Sequence, residues 1–195
     1  MSEEFFVVKH PADSGEYCIL DHMEGFEDAW EVSRGISQAA HPPAKVTMGL
    51  YDNNADRTRL PDLVKNIEGV MVVSPKLKAF LEAQKVTHVE YYPVEIHNNQ
   101  GQVLSRDYFI AHLIDPVDCI DTQATQCVWS NKGLKTERIM CADSLTILPE
   151  KIPQDRRMFR LYQLDEVLVV RKDLADALKQ GGFTNLKIAK MPESV

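Results

Sequence analysis

A long β-hairpin is encoded by residues 88–114, HVEYYPVEIHNNQGQVLSRDYFIAHLI. The segment His88–Ile96 has a strand-like pattern, with Val89 and Tyr91 on one face and Tyr92, Val94 and Ile96 on the other. The residues from Asn98 to Gly101 have the composition of a hairpin turn, and Val103–Ile114 is the returning strand. Pro93 has no backbone N–H, so we expect it at a sheet edge or at a bulge.

A buried strand and an amphipathic helix precede this hairpin. The strand is the apolar run Val70–Val73. Ser74 can then cap a helix N-terminus, and Pro75 suits the first helical position, where a missing N–H costs nothing. Leu77 and Leu81 fall on one face of the predicted helix.

The C-terminal segment repeats this pattern with a constant offset and no gaps. The matching pairs are Val72–Val73 with Val169–Val170, Leu77 with Leu174, Leu81 with Leu178, and Thr87 with Thr184. Each copy predicts a strand, a short amphipathic helix and a second strand. An internal duplication would explain the match, and so would the periodicity that any two such units share, so both explanations stay open.

The remaining apolar runs complete the predicted fold. We expect a buried strand at Phe5–Val8, a further strand at Val117–Ile120, and a loop at Gln123–Lys135 that carries Trp129. The predicted class is α+β, with a mixed or antiparallel sheet, a long central hairpin, two strand–helix–strand units and few short helices. We expect a single domain over residues 1–195, with an N-terminal subdomain over 1–59 and a main region over 60–191 as the alternative division.

Composition excludes several classes of function. The net charge is −7, from 29 acidic against 22 basic residues, whereas nucleic-acid binding requires a surplus of Lys and Arg on one face. The N-terminus Met-Ser-Glu-Glu has no basic region, and the apolar run after it is too short for a signal peptide or a membrane span. We therefore expect a cytoplasmic protein with no nucleic-acid or membrane partner.

The search for chemistry finds no phosphate loop, dinucleotide fingerprint, nucleophile elbow or metal motif. The cysteines contain no C-x-x-C pair, and we expect no cofactor and no metal. The remaining cluster is His112 with Asp115, Asp118 and Asp121, which would support a small metal-dependent or hydrolytic enzyme. Pro116 interrupts any helix there, and on a strand Asp115 and Asp121 would lie on one face while Asp118 pointed the opposite way.

Binding residues are expected where polar or aromatic side chains lie outside the predicted core. Asp52, Asp56, Arg57 and Arg59 lie in one polar loop, which we interpret as a recognition edge. Trp129 is a candidate interface anchor because tryptophan is enriched among residues that dominate binding energy. A regulatory or scaffold module is a further alternative, and a monomer and a homodimer are both compatible with the sequence.

The order of several short motifs resembles a bacterial immunity protein family. The motifs are Leu60–Leu63, Val72–Ser74, Tyr91–Val94, Asp118–Asp121, Phe159–Leu161 and Val169–Val170 before a closing helix. This family was first described as a domain of unknown function and is typed by a myxobacterial protein found beside polymorphic toxins. The resemblance runs from about Leu60 to Met191 and is loose over the first fifty residues.

The resemblance implies a non-enzymatic protein that binds and neutralises a cognate toxin delivered between bacteria by contact-dependent or type VI secretion. It implies no catalytic residues. The acidic balance suits a basic toxin that acts in the cytoplasm, such as a nuclease, because opposite charge speeds association.

Overall fold

A computed structural model describes residues 4–51, 57–131, 133–134 and 137–191. Within these ranges the chain forms twelve strands and three short α-helices, so β-structure dominates. The strands form a closed six-stranded barrel, a four-stranded sheet and a two-stranded ribbon. The expectation of an α+β protein with few short helices is broadly consistent with this architecture, but the sequence pattern did not predict that one sheet closes.

The elements have the following bounds. The strands are β1 Phe5–Lys9, β2 Ile19–Glu24, β3 Val46–Leu50, β4 Leu63–Asn66, β5 Met71–Val73, β6 Val89–His97, β7 Val103–Leu113, β8 Gln126–Ser130, β9 Arg138–Asp143, β10 Met158–Leu161, β11 Leu164–Arg171 and β12 Lys187–Lys190. The helices are α1 Ala29–Ser33, α2 Pro75–Ala83 and α3 Lys172–Gln180. In the described part of the chain, no helix is both long and apolar enough to cross a membrane.

The barrel is built around the predicted hairpin. Its strand order is β2-β3-β6-β7-β5-β4, and a short parallel pairing between β2 and β4 closes the ring. Tyr92, Val94 and Ile96 are buried in the barrel core, whereas Val89 and Tyr91 pack against the core on the other side. The predicted strand is therefore confirmed.

Pro93 lies at a local edge inside this barrel. Strand β6 is an interior strand, because it pairs with β3 on one side and with β7 on the other. Pairing with β3 begins only at Val94, so the missing N–H of Pro93 leaves no β3 carbonyl without a donor. The hairpin turn is as expected, with the Gly101 N–H donating to the Asn98 carbonyl over 3.0 Å.

The second sheet packs against the barrel through a shared core. Its order is β10-β11-β1-β12, and every pair is antiparallel. The predicted buried strand at Phe5–Val8 is confirmed, and it lies between β11 and β12. Helices α2 and α3 contribute Leu77, Leu81, Leu174 and Leu178 to one core cluster with residues of both sheets.

The predicted internal repeat has a structural counterpart. Helices α2 and α3 each have nine residues. The shift in numbering that relates Leu77 to Leu174 also relates the first residue of α2 to that of α3, and the last residue to the last. An antiparallel hairpin precedes each helix, β4–β5 before α2 and β10–β11 before α3. Both helices bury the repeated leucines in the same core cluster.

Two local predictions were wrong. Gln126–Ser130 is strand β8 of the ribbon, not part of a loop, because it pairs with β9 and packs Cys127 and Trp129 against a third core cluster. Val117–Ile120 is not a strand: Val117 and Ile120 form isolated bridges to Leu161 and Ile147. Both outcomes depend on contacts with residues distant in sequence, which local periodicity does not encode.

Candidate partner-binding surfaces

His112 and Asp115, two members of the candidate His112 cluster, have separate hydrogen-bond partners. His112 lies on β7 and is fully buried, with Nε2 donating to the carbonyl of Ile36 over 2.8 Å. Burial lowers its pKa, which favours the neutral ring. The Asp115 carboxylate instead accepts from His88 Nδ1 at 3.0 Å. Among the described residues, no group of three His, Cys, Asp or Glu side chains is placed to hold a metal ion.

The four cysteines are free, and two of them are deeply buried. Burial raises the pKa of the Cys18 and Cys119 thiols to about 12. Because the thiolate is the reactive form, these two side chains are poor nucleophiles at neutral pH.

The described part of the predicted recognition edge is held by ion pairs within the chain. The Arg57 guanidinium donates to both carboxylate oxygens of Asp13, at 3.0 and 2.8 Å, and it holds the pKa of that carboxyl below its usual value. Arg59 pairs with Glu16 and lies 5.2 Å from the centre of the Tyr17 ring. Asp52 and Asp56 lie outside the described residues.

The two tryptophans have different environments. Trp129 on β8 is half-buried and packs against the third core cluster. Trp30 on α1 is 52% exposed, and the Arg34 guanidinium lies 5.3 Å from the centre of its ring. Trp30 is therefore the more accessible of the two side chains.

Trp30 stands at the rim of a cleft of about 610 Å³. Four segments form its walls: the end of α1, the turn between β4 and β5, the start of β9 and the β10–β11 hairpin. We call it the arginine cleft and define it by six lining residues, Trp30, Arg34, Ile67, Arg138, Met140 and Arg160.

Arg160 forms the floor of the arginine cleft. Its side chain is 1% exposed, and it donates to the carbonyl of Asp165 over 2.6 Å and to the carbonyl of Gly69 over 3.4 Å. Its Nε has no partner among the described residues. Arg160 therefore links the β4–β5 turn of the barrel to the β10–β11 hairpin of the second sheet and fixes two walls of the cleft.

Sequence reasoning missed this cleft because its residues come from four distant segments. Only Trp30 carried a usable signal, as one of two tryptophans. Arg34, Arg138 and Arg160 show no spacing that would have placed them together.

A packed β-rich scaffold with an exposed tryptophan and arginines around an open cleft has the features of a protein that acts through its surface. The model of the immunity protein family (Imm11) matches residues 13–193. Because the match covers most of the chain, the chain belongs to this family. The predicted resemblance is thus confirmed, and the match begins well before Leu60. A search of curated proteins gave no match.

Proposed function

We propose that this chain binds and neutralises a cognate bacterial toxin that reaches the cytoplasm by contact-dependent or type VI secretion. Membership of the immunity protein family over residues 13–193 carries the proposal. The fold supports it, because a core shared by the barrel, the second sheet and two helices gives a preformed surface. A preformed surface limits the ordering cost of association.

The charge balance supports a basic toxin, such as a nuclease. The chain has a net charge of −7, and opposite charges raise the rate at which two proteins meet. Fast capture matters for an immunity protein because it must bind the toxin before the toxin acts.

The predicted recognition edge at Arg57 and Arg59, with Trp129, remains a proposed contact region. The two arginines already pair with Asp13 and Glu16, so a toxin would have to extend these pairs or replace them. Trp129 would contribute only the part of its ring that the third core cluster leaves exposed.

The proposal is tested with the toxin domain of any large toxin-like protein whose gene neighbours the gene for this chain. Cells that express this domain should stop growing, and co-expression of the chain should restore growth. The two purified proteins should elute as one complex in size-exclusion chromatography. Failure to protect cells, together with failure to form a complex, would refute the proposed function.

A further inference from the structure

The barrel is closed and has no strand edges, whereas the other two sheets have two each. The second sheet ends in β10 and β12, and the ribbon consists of two edge strands, β8 and β9. An uncovered edge strand presents a row of backbone N–H and C=O groups that can pair with a strand of another chain. What covers each of the four edges therefore decides where a further strand can bind.

Two of these edges are covered by other parts of the chain. Val117 covers β10, because its N–H donates to the Arg160 carbonyl over 2.9 Å and its carbonyl accepts from the Tyr162 N–H at 3.0 Å. The start of β9 is bonded to the β10–β11 hairpin, where the Ile139 N–H donates to the Gln163 carbonyl over 2.8 Å. Neither strand is free to receive a further strand along its whole length.

Strand β12 is protected by charge. Its sequence is Lys-Ile-Ala-Lys, with exposed lysines at both ends. If two copies of β12 paired antiparallel about their centre, Lys187 of each would lie opposite Lys190 of the other. Like charges directly opposite each other destabilise a pair of strands, so β12 is unsuited to pairing with itself.

Strand β8 has neither kind of protection. Gln126–Ser130 contains no charged residue and no proline. Within the described part of the chain, its backbone bonds only to β9. In an antiparallel pair, alternate residues direct their N–H and C=O groups away from the partner strand, so β8 presents such groups along its outer edge.

A bulge in the ribbon leaves β8 regular. Val128 lies opposite Cys141 and Trp129 lies opposite Ile139, so Met140 is an extra residue on β9. A bulge bends the strand that carries it. The irregular strand is therefore β9, and β8 keeps the even spacing of backbone groups that a further strand requires.

The side chains on both faces of β8 match a second copy of the same strand. Val128 is 59% exposed on the outer face, and Cys127 and Trp129 are half-buried on the inner face. In an antiparallel pair centred on Val128, the two Val128 side chains meet each other, and each Trp129 meets the Cys127 of the other copy. Apolar side chains thus face apolar ones, and a large side chain faces a small one, with no charge in the contact.

We propose that two copies of this chain associate through antiparallel pairing of their β8 strands, with a two-fold axis at Val128. The two ribbons then form one four-stranded sheet in the order β9-β8-β8-β9. A two-fold dimer uses the same surface on both chains, and a strand that is complementary to itself provides that kind of contact. This inference goes beyond the proposed function and does not depend on the toxin.

The charges of the neighbouring strand β9 are compatible with this arrangement. Asp143 lies beside Gln126 at one end of the ribbon, and Arg138 lies beside Ser130 at the other. Antiparallel pairing places the Asp143 end of each ribbon next to the Arg138 end of the other, at about 14 Å, or three strand spacings. Over this distance the attraction is weak, so it favours the antiparallel direction and contributes little affinity.

Sedimentation velocity over a wide range of concentration measures the proposed association. The mass of the unmodified chain should rise from that of one chain to that of two. Val128→Lys and Val128→Glu should each raise the dissociation constant of the dimer at least about 10-fold, because two like charges would then meet at the axis. Leu134→Lys is the matched control, since Leu134 is also exposed but lies in the connection between β8 and β9. It should change the constant less than about 3-fold.

A mixture of the two charged variants separates lost pairing from lost folding. An equimolar mixture of Val128→Lys and Val128→Glu should form dimers at concentrations at which each variant alone is a monomer, because opposite charges then meet at the axis. Only folded chains with an intact β8 can give this result.

Hydrogen exchange of the unmodified chain provides a measurement that needs no variant. The outward amides of β8 should exchange more slowly at a concentration at which the chain is a dimer than at one at which it is a monomer. The amides of β12 serve as the internal control and should exchange at the same rate in both samples.

Three outcomes would overturn this inference. A chain that is a monomer at every concentration has no such dimer. A dimer that withstands both Val128→Lys and Val128→Glu, with unchanged exchange of β8 amides, has its contact elsewhere. A monomer that loses toxin binding on Val128→Lys uses the β8 edge for the toxin. Because protection of cells tests the proposed function separately, the two proposals fail independently.

Discussion

Arg160 holds two walls of the arginine cleft, although its own side chain is only 1% exposed. Its guanidinium is removed from water, and burial lowers its pKa to about 10 although the Asp165 charge opposes the shift. It remains charged at neutral pH, and its bonds to the backbone carbonyls of Gly69 and Asp165 offset part of the desolvation cost. Arg160 thus adds a polar link between the barrel and the second sheet at the cleft, beside the core that they share.

Replacement of Arg160 by alanine should lower the free energy of unfolding by about 3 kcal/mol. The change leaves two carbonyls without donors and opens a cavity between two sheets. Urea denaturation measures the effect, with Arg106→Ala as the control at about 0.5 kcal/mol or less. An equal effect for the two variants would show that the buried guanidinium does not hold the walls together.

The buried side chain of His112 should make the free energy of unfolding depend on pH near neutrality, above the pH range in which carboxylates titrate. Its pKa is lowered mainly by burial and also by the Arg160 charge, while the Ile36 carbonyl and Glu90 act in the opposite direction. The unfolded chain therefore takes up this proton before the folded chain does, so stability is present above pH 6.5 and is lost as pH falls. His10 acts in the same direction, and the exposed His22, which pairs with Glu68, acts in the opposite one.

We expect the free energy of unfolding of the wild-type chain to fall between pH 7.5 and pH 5.5. His112→Gln should lose less stability over this range, because glutamine can still donate to the Ile36 carbonyl but does not titrate. Urea denaturation at both pH values measures the difference. His41→Gln, in an exposed loop, should lose as much as the wild-type chain. Equal losses for His112→Gln and the wild-type chain would contradict the expectation.

At the scale of elements, the start of helix α2 is fixed by residues that are adjacent in sequence. The Ser74 hydroxyl accepts from the Leu77 N–H at 3.2 Å and donates to Asp62 Oδ1 over 2.6 Å. The N-cap and the first helical position were both predicted, because the residues that define them are adjacent in sequence.

Ser74→Ala should lower the free energy of unfolding by about 1–2 kcal/mol, since it removes the cap and leaves a carboxylate oxygen of Asp62 without its donor. Asp62 keeps its bonds to Thr184, so the loss should stay within that range. Denaturant unfolding measures it, and Ser14→Ala in an exposed loop should be nearly neutral. A neutral result at Ser74 would mean that the cap contributes nothing to this fold.

Local sequence predicts some elements of this fold and misses others. The β6–β7 hairpin was predicted because its turn and alternating faces are contiguous. Strand β8 was missed because its pairing with β9 spans a poorly patterned segment and its inward side chains pack on residues far along the chain. Closure of the barrel depends on the β2–β4 pairing, which joins two strands that show no signal of adjacency.

At the scale of the whole molecule, the sequence predicted the family but not the cleft. The family could be predicted because the order of its short motifs can be read from the sequence without knowing which residues are in contact. The barrel, the ribbon and the second sheet each supply lining residues of the arginine cleft. The cleft therefore forms only when these three units pack together, and local sequence does not predict it. The echo between α2 and α3 differs from the cleft, because it was legible in the sequence and the fold places both helices against one core cluster.

The net charge of −7 belongs to the whole molecule and leads to a kinetic prediction. The association rate constant with the proposed basic toxin should fall at least about 10-fold as salt shortens the screening length from about 30 Å at 0.01 M to about 3 Å at 1 M. Dissociation should change less, because docked contacts are shielded from solvent ions. Stopped-flow mixing with the toxin domain measures both rate constants.

A single charge change on the surface tests this long-range effect directly. Asp107→Lys alters an exposed residue of β7 and reduces the negative charge without touching the arginine cleft. It should slow association at low salt and leave dissociation unchanged. An association rate that is indifferent to both salt and Asp107→Lys would mean that the toxin approaches without electrostatic attraction, and the proposal of a basic, nuclease-like toxin would then have to be abandoned.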